Sequence, residues 1–190
     1  MLKSIDPILN ADVLYALRAM GHGDDLVLCD TNFPADAVAR QTVLGRLLRI
    51  DNVSASRATR AILSVLPLDS FVEKPALRME IVGQPDEIPP VQREVQKEID
   101  AAEGRSSPMG PVERFAFYER AKNAYCVIQT GERRFYGCFV FKKGVIAPDA
   151  TQPTLQTKPR KSREETKPLH RQTSVRNDAV QRHGQPLPRK

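Results

Sequence analysis

Tryptophan is absent from this 190-residue chain, and histidine and cysteine are scarce at three each. Two of the histidines, His170 and His183, fall in a C-terminal stretch of different composition, so His22 stands alone in the rest of the chain. That scarcity rules out a multi-histidine metal site, and no metal is expected. Cys29, Cys126 and Cys138 show neither an even count nor CxxC spacing, and they sit in apolar, strand-like runs. They read as reduced thiols of a cytoplasmic protein rather than as a disulfide framework. No GxGxxG, GxxxxGK[ST], HExxH or GxSxG occurs, so the chemistries these motifs serve have no foothold and no cofactor is expected. No run approaches membrane-spanning length, and Met1 to Asn10, with Asp6 and Pro7, does not read as a signal peptide.

What is present is unevenly distributed. The net charge of +6 would suggest a nucleic-acid partner if it were spread over the chain, but Thr151 to Lys190 holds ten Lys or Arg against three acids. The residues before it carry a net charge of −1. The stretch also has five prolines and no aromatic residue, too little apolar surface to offset its ordering entropy, so a disordered basic tail is expected over 148–190. It is either a solvated extension or a contact for anions, RNA or a membrane surface through Lys158, Arg160, Lys161 and Arg163. Residues 1–147 are long enough for one domain with a real core.

Helical and strand-like segments alternate along that domain. Asn10 can cap a helix to about Met20 with Val13, Leu14, Leu17 and Met20 on its buried side, and Gly21 can end it. A strand runs to Asp30, Asn32-Phe33-Pro34 forms a loop, and Leu47 to Ile50 is a second strand. Ser54 or Ser56 caps a helix through about Leu66, and Leu77 to Val82 alternates as a strand. Val91 to Ala102 has the spacing and charge of a surface helix, Gly104 to Gly110 is a loop, and Pro111 suits the first turn of a helix to about Asn123. Tyr125 to Gln129 and Tyr136 to Phe141 close the domain as strands. The order predicts a layered α/β/α single domain.

The chemistry gathers at Gly21-His22-Gly23-Asp24-Asp25, the apolar run Leu26 to Cys29, and Asp30. Glycines on both sides leave the imidazole uncovered, while Asp30 emerges at the carboxyl end of a strand, where α/β sheets usually bind ligands. His22 can donate or accept a proton near neutrality, and Asp30 can accept from hydroxyls or orient the imidazole. A purely structural account stands beside this one: His22 caps the preceding helix and Asp30 caps the next loop.

The opening MLKSIDPILNADVLYALRAMGHGDDLVLCDTNFPA, the run Glu113 to Lys122, the Thr130-Gly131-Glu132 turn, Tyr136-Gly137 and Lys143 to Ile146 together resemble the L-fucose mutarotase and D-ribose pyranase family, the fucose branch most closely. The resemblance covers residues 1–147 and implies cofactor-independent interconversion of sugar anomers. A proton is delivered to the ring oxygen and another is removed from the anomeric hydroxyl. It implies His22 as proton donor, with Asp30, Arg114, Tyr136, Gly137 and residue 138 at the sugar. It also implies a homo-oligomer, often a decameric ring in that family, with sites near subunit boundaries. Taken alone, Arg114 could be a helix-surface arginine and Tyr136 a core aromatic. The family pattern Tyr-Gly-Asn is broken by Cys138, a weak hydrogen-bonding partner in place of an amide. That change leaves open a sugar-binding or sensing protein without turnover, or ribose as the substrate.

Overall fold

Leu26 and Leu28 face one side of their strand and Val27 and Cys29 the other, and all four are fully buried, so both faces of the sheet must be covered. The structure is a computed structural model that describes residues 2–148. The elements in chain order are α1 (Ala11–Ala19), β1 (Asp25–Cys29), α2 (Ala35–Ala39), β2 (Leu47–Ile50), α3 (Ala55–Leu63), β3 (Ala76–Met79), α4 (Pro90–Glu103), β4 (Gly110–Val112), α5 (Arg114–Lys122), β5 (Cys126–Thr130) and β6 (Phe139–Lys142). The strands form one six-stranded sheet in the order β2-β5-β1-β6-β3-β4. All neighbouring pairs are parallel except those of β6, which runs antiparallel to β1 and to β3.

One face carries α1, α3 and α4 over Leu26, Leu28, Leu48, Ile128, Phe139 and Phe141. The other carries α2 and α5, with Phe33 and Phe117 packed edge to face over Val27, Val127 and Val140. This is the α/β/α layering that the alternation of segments predicts. The expected tail lies outside the described residues. Among the described residues, no helix is long and apolar enough to cross a membrane.

Helix starts follow the capping chemistry. The Asn10 side chain accepts from the Val13 amide and Ser54 from that of Arg57, so of the two serines Ser54 is the cap. Four expectations need correction. A short α2 follows the Asn32-Phe33-Pro34 loop, where no element is expected, because Ala35, Val38 and Ala39 bury against β5 and α5. The strand near residue 77 ends at Met79 rather than Val82, since Gly83 takes a left-handed φ of 77° and turns the chain. Pro111 lies in β4 rather than in a helix. The strand is at the sheet edge, where the missing N–H costs nothing, and α5 starts at Arg114 under a cap by Glu113.

The expected strand from Tyr136 begins only at Phe139, because Tyr136 itself has φ 60°, uncommon for a non-glycine residue. At Gly131 a Cβ would sit 2.7 Å from the Asn52 amide nitrogen and 2.9 Å from that of Val53, both backbone atoms without room to yield. Gly131→Ala is therefore expected to destabilise the domain by about 2–4 kcal/mol, measured by denaturant unfolding.

Candidate functional site

At the carboxyl end of β1 the sheet opens into a cavity of about 300 Å³ lined by Asp30, Asn32, Phe33, Met79, Arg114, Tyr118, Phe135, Tyr136 and Cys138. Four of the residues expected at a sugar, Asp30, Arg114, Tyr136 and Cys138, thus meet in one place, and Gly137 adjoins them. Asp30 is only 3% exposed. Its Oδ1 accepts from the Asn32 and Phe33 amides at 2.9 and 3.1 Å, and its Oδ2 accepts from the Gly137 amide at 3.0 Å. The Cys138 thiol supplies a weak fourth donor at 3.6 Å to Oδ2. Of the four, the thiol is the one a ligand hydroxyl can displace at least cost. Burial and the Asp30 charge push that thiol well above its ordinary pKa, so Cys138 is a neutral wall and not a nucleophile. Gly137 fits because it has no side chain: a Cβ would lie 3.0 Å from Glu132 Cγ and 3.2 Å from Asp30 Cβ.

Arg114 opens the first turn of α5. Its Nε donates to the Tyr118 hydroxyl at 3.1 Å and its guanidinium lies over the Tyr118 ring, which aims the fork along the cavity rim while the terminal nitrogens keep their donors. Phe33, Met79, Phe135 and the Tyr136 ring give the cavity an apolar wall.

The loop that carries the left-handed Tyr136 is held by two buried side chains. Gln92, fully buried on α4, donates to the Met79 carbonyl at 2.8 Å and to the Tyr136 carbonyl at 3.0 Å. Glu132 accepts from the Arg133 and Arg134 amides, from the Arg134 side chain and, at 3.3 Å, from the Ala55 amide at the start of α3. The Arg134 guanidinium beside it holds its carboxyl down at about 2.

His22 is elsewhere. It lies in the turn before β1, at the opposite end of the strand from Asp30, and the five residues of β1 put about 16 Å between the two ends. Asp30 therefore cannot orient the imidazole. Asp69 does, with its Oδ1 3.1 Å from His22 Nε2 and also accepting from the Phe71 amide, while Phe71 lays its ring 5.6 Å from the imidazole. The Asp69 carboxyl is held below its usual range, first by the Phe71 amide and then by His22. With Nε2 committed, Nδ1 is the nitrogen left to an outside partner, and the imidazole is 46% exposed. The helix-cap account of His22 does not hold, because Lys143 Nζ takes the Leu17 and Met20 carbonyls at the end of α1.

Sequence reasoning missed Asp69, Met79, Gln92 and Phe135. Each comes from a loop, strand end or helix with no local motif, and only the tertiary fold brings them to the site. Among the described residues, no three His, Cys, Asp or Glu side chains converge as a metal-ligand set.

Glu132 ionises far below an ordinary glutamate, so its bonds stabilise the fold fully above pH about 5 and are lost as pH falls toward 2. Glu132→Gln is expected to cost about 2–3 kcal/mol at neutral pH and to flatten the decline of stability between those limits, read from unfolding curves across pH.

Residues 3–146 match the RbsD / FucU transport protein family. Human fucose mutarotase is 40% identical over 149 residues, which are 77% of this chain and 95% of that protein. The crystal structure of the protein Atu2016 is 69% identical, with a TM-score of 0.76 over 77% of this chain and 97% of that one. The fucose mutarotase of Streptococcus pneumoniae, solved in complex with L-fucose, is 34% identical with a TM-score of 0.69, over 77% of this chain and all of that one. With its three-layer fold, its cavity at the end of β1 and a family match over nearly all of the described residues, the chain belongs to the RbsD / FucU family.

Proposed function

We propose that this chain is a cofactor-independent mutarotase that interconverts the α and β anomers of L-fucose. The observation that carries the reading is the convergence of Asp30, Arg114 and Tyr136 on one cavity whose remaining wall is apolar. A 6-deoxy sugar presents a methyl group to such a wall and hydroxyls to the rest, whereas ribose has no methyl to bury there. The Arg114 fork takes a pair of sugar oxygens, and a hydroxyl that displaces the Cys138 thiol bonds to Asp30 Oδ2.

Ring opening then needs a proton at the ring oxygen and a base at the anomeric hydroxyl. His22 is the group suited to this exchange, and the length of β1 supports its delivery by a second copy of the chain. The exposed His22 and Phe71 of one subunit cover the cavity mouth of the next, where Phe115 and Phe135 are exposed. Such a contact joins two different surfaces and closes into a ring when the rotation allows, in keeping with a homo-oligomer. Three free cysteines, all buried, fit a cytoplasmic setting.

His22→Ala and Arg114→Ala are each expected to lower the anomeric exchange rate by about 100-fold or more, measured by NMR magnetisation transfer on L-fucose. Coexpressed, the two variants should recover about a quarter of the wild-type rate, because mixed contacts rebuild intact sites. No recovery would mean that His22 serves no neighbouring cavity. Tight fucose binding without faster exchange in the wild type would mark a binding protein, and exchange of D-ribose alone would reassign the substrate. Cys138→Asn should tighten fucose binding by about tenfold, seen as a lower KM, if the thiol is the weak partner the geometry makes it.

A further inference from the structure

A second cavity, of about 400 Å³, opens on the outer side of α4 and shares no lining residue with the sugar cavity. Arg93, Gln96, Lys97 and Asp100 recur along α4 at helical spacing and form one wall, while Ile88, Pro108 and Met109 supply apolar surface. Arg78 reaches in from β3 and is only 7% exposed. Its guanidinium donates to Gln92 Oε1 at 3.3 Å and to the Pro85 carbonyl at 2.9 Å, both neutral acceptors, which uses two of its five N–H donors. Among the described residues, none of Arg78, Arg93 and Lys97 has a carboxylate within ion-pair distance. The carboxylate on the wall, Asp100, already accepts from the Gln96 side chain and the Ser107 amide through Oδ1, both at 2.8 Å.

A buried guanidinium without a counter-charge is costly, and two further cations beside it repel one another unless an anion joins them. Three positive charges match a dianion better than a single carboxylate, and the arginine fork matches the spacing of phosphoryl oxygens. We propose that this cavity binds a small phosphate monoester, with Arg78, Arg93 and Lys97 on the phosphate and Ile88, Pro108 and Met109 around an apolar substituent. The site is distinct from the sugar cavity, although Arg78 touches Gln92, whose amide holds the Tyr136 carbonyl.

Isothermal titration of the full chain with phenyl phosphate, with phenol as the uncharged control, tests the proposal. Saturable binding at millimolar concentration or below is expected, with none for phenol. The double variant R93Q/K97Q changes two exposed side chains, so its melting temperature should be unchanged while its affinity falls by about tenfold or more. R78M should abolish binding, and R114A, at the sugar cavity, should leave it intact. Absence of saturable binding overturns the proposal. So does equal binding of phenol, or an affinity unchanged in R93Q/K97Q, which would place the anion elsewhere on the basic chain.

Discussion

The Asp30 carboxylate is the constraint from which the cavity at the end of β1 follows. A carboxylate this deep is tolerated only when its oxygens are filled by donors, and here the donors come from both sides of the site. The Asn32 and Phe33 amides turn the chain sharply after β1, and the Gly137 amide brings in the loop that leads to β6. That approach leaves a Cβ at 137 crowded against the Glu132 and Asp30 side chains, and the left-handed turn falls on Tyr136, whose carbonyl faces Gln92. The cavity is thus shaped from its buried end outward, and the groups on the rim inherit their positions from it.

The layering was legible because burial on both faces of β1 appears in the sequence as an unbroken apolar run, and because Asn10 and Ser54 carry local capping chemistry. Four cavity residues were also legible, through the resemblance and through their own chemistry. What escaped depends on contacts distant in sequence. Nothing around Pro111 distinguishes a helix's first turn from an edge strand until β3 is known to lie beside it. Asp69 sits in the loop after Pro67 and Leu68, and Gln92 in a charged helix, so neither advertises a partner 47 or 44 residues away. The pairing of His22 with Asp30, natural on paper because eight residues separate them, fails for a geometric reason: a strand is the conformation that carries neighbours in sequence furthest apart.

That same extension gives the molecule a polarity. The chain bears a hydrogen-bonded, partly exposed imidazole beside an aromatic ring at one end of β1, and an open, aromatic-rimmed cavity at the other. Phe71, 74% exposed, and Phe135, 73% exposed, each present an aromatic ring to solvent, one at each end. Under the proposed function these two ends are complementary halves of one site, and assembly and catalysis then share a single requirement.

The position of β6 bears on how the chain reaches this state. The last strand of the described residues sits in the interior of the sheet, and without β5 and β6 none of the remaining strands has a sheet neighbour except β3 and β4. A nascent chain that stops short of Cys126 holds β1 with neither of its partners, its Leu26 and Val27 edges unpaired. Folding must therefore wait on contacts a hundred residues or more apart, which closes a large loop late and slows the search. During synthesis the N-terminal two-thirds of this protein is exposed, apolar and unable to commit, and it is over that interval that aggregation competes with folding.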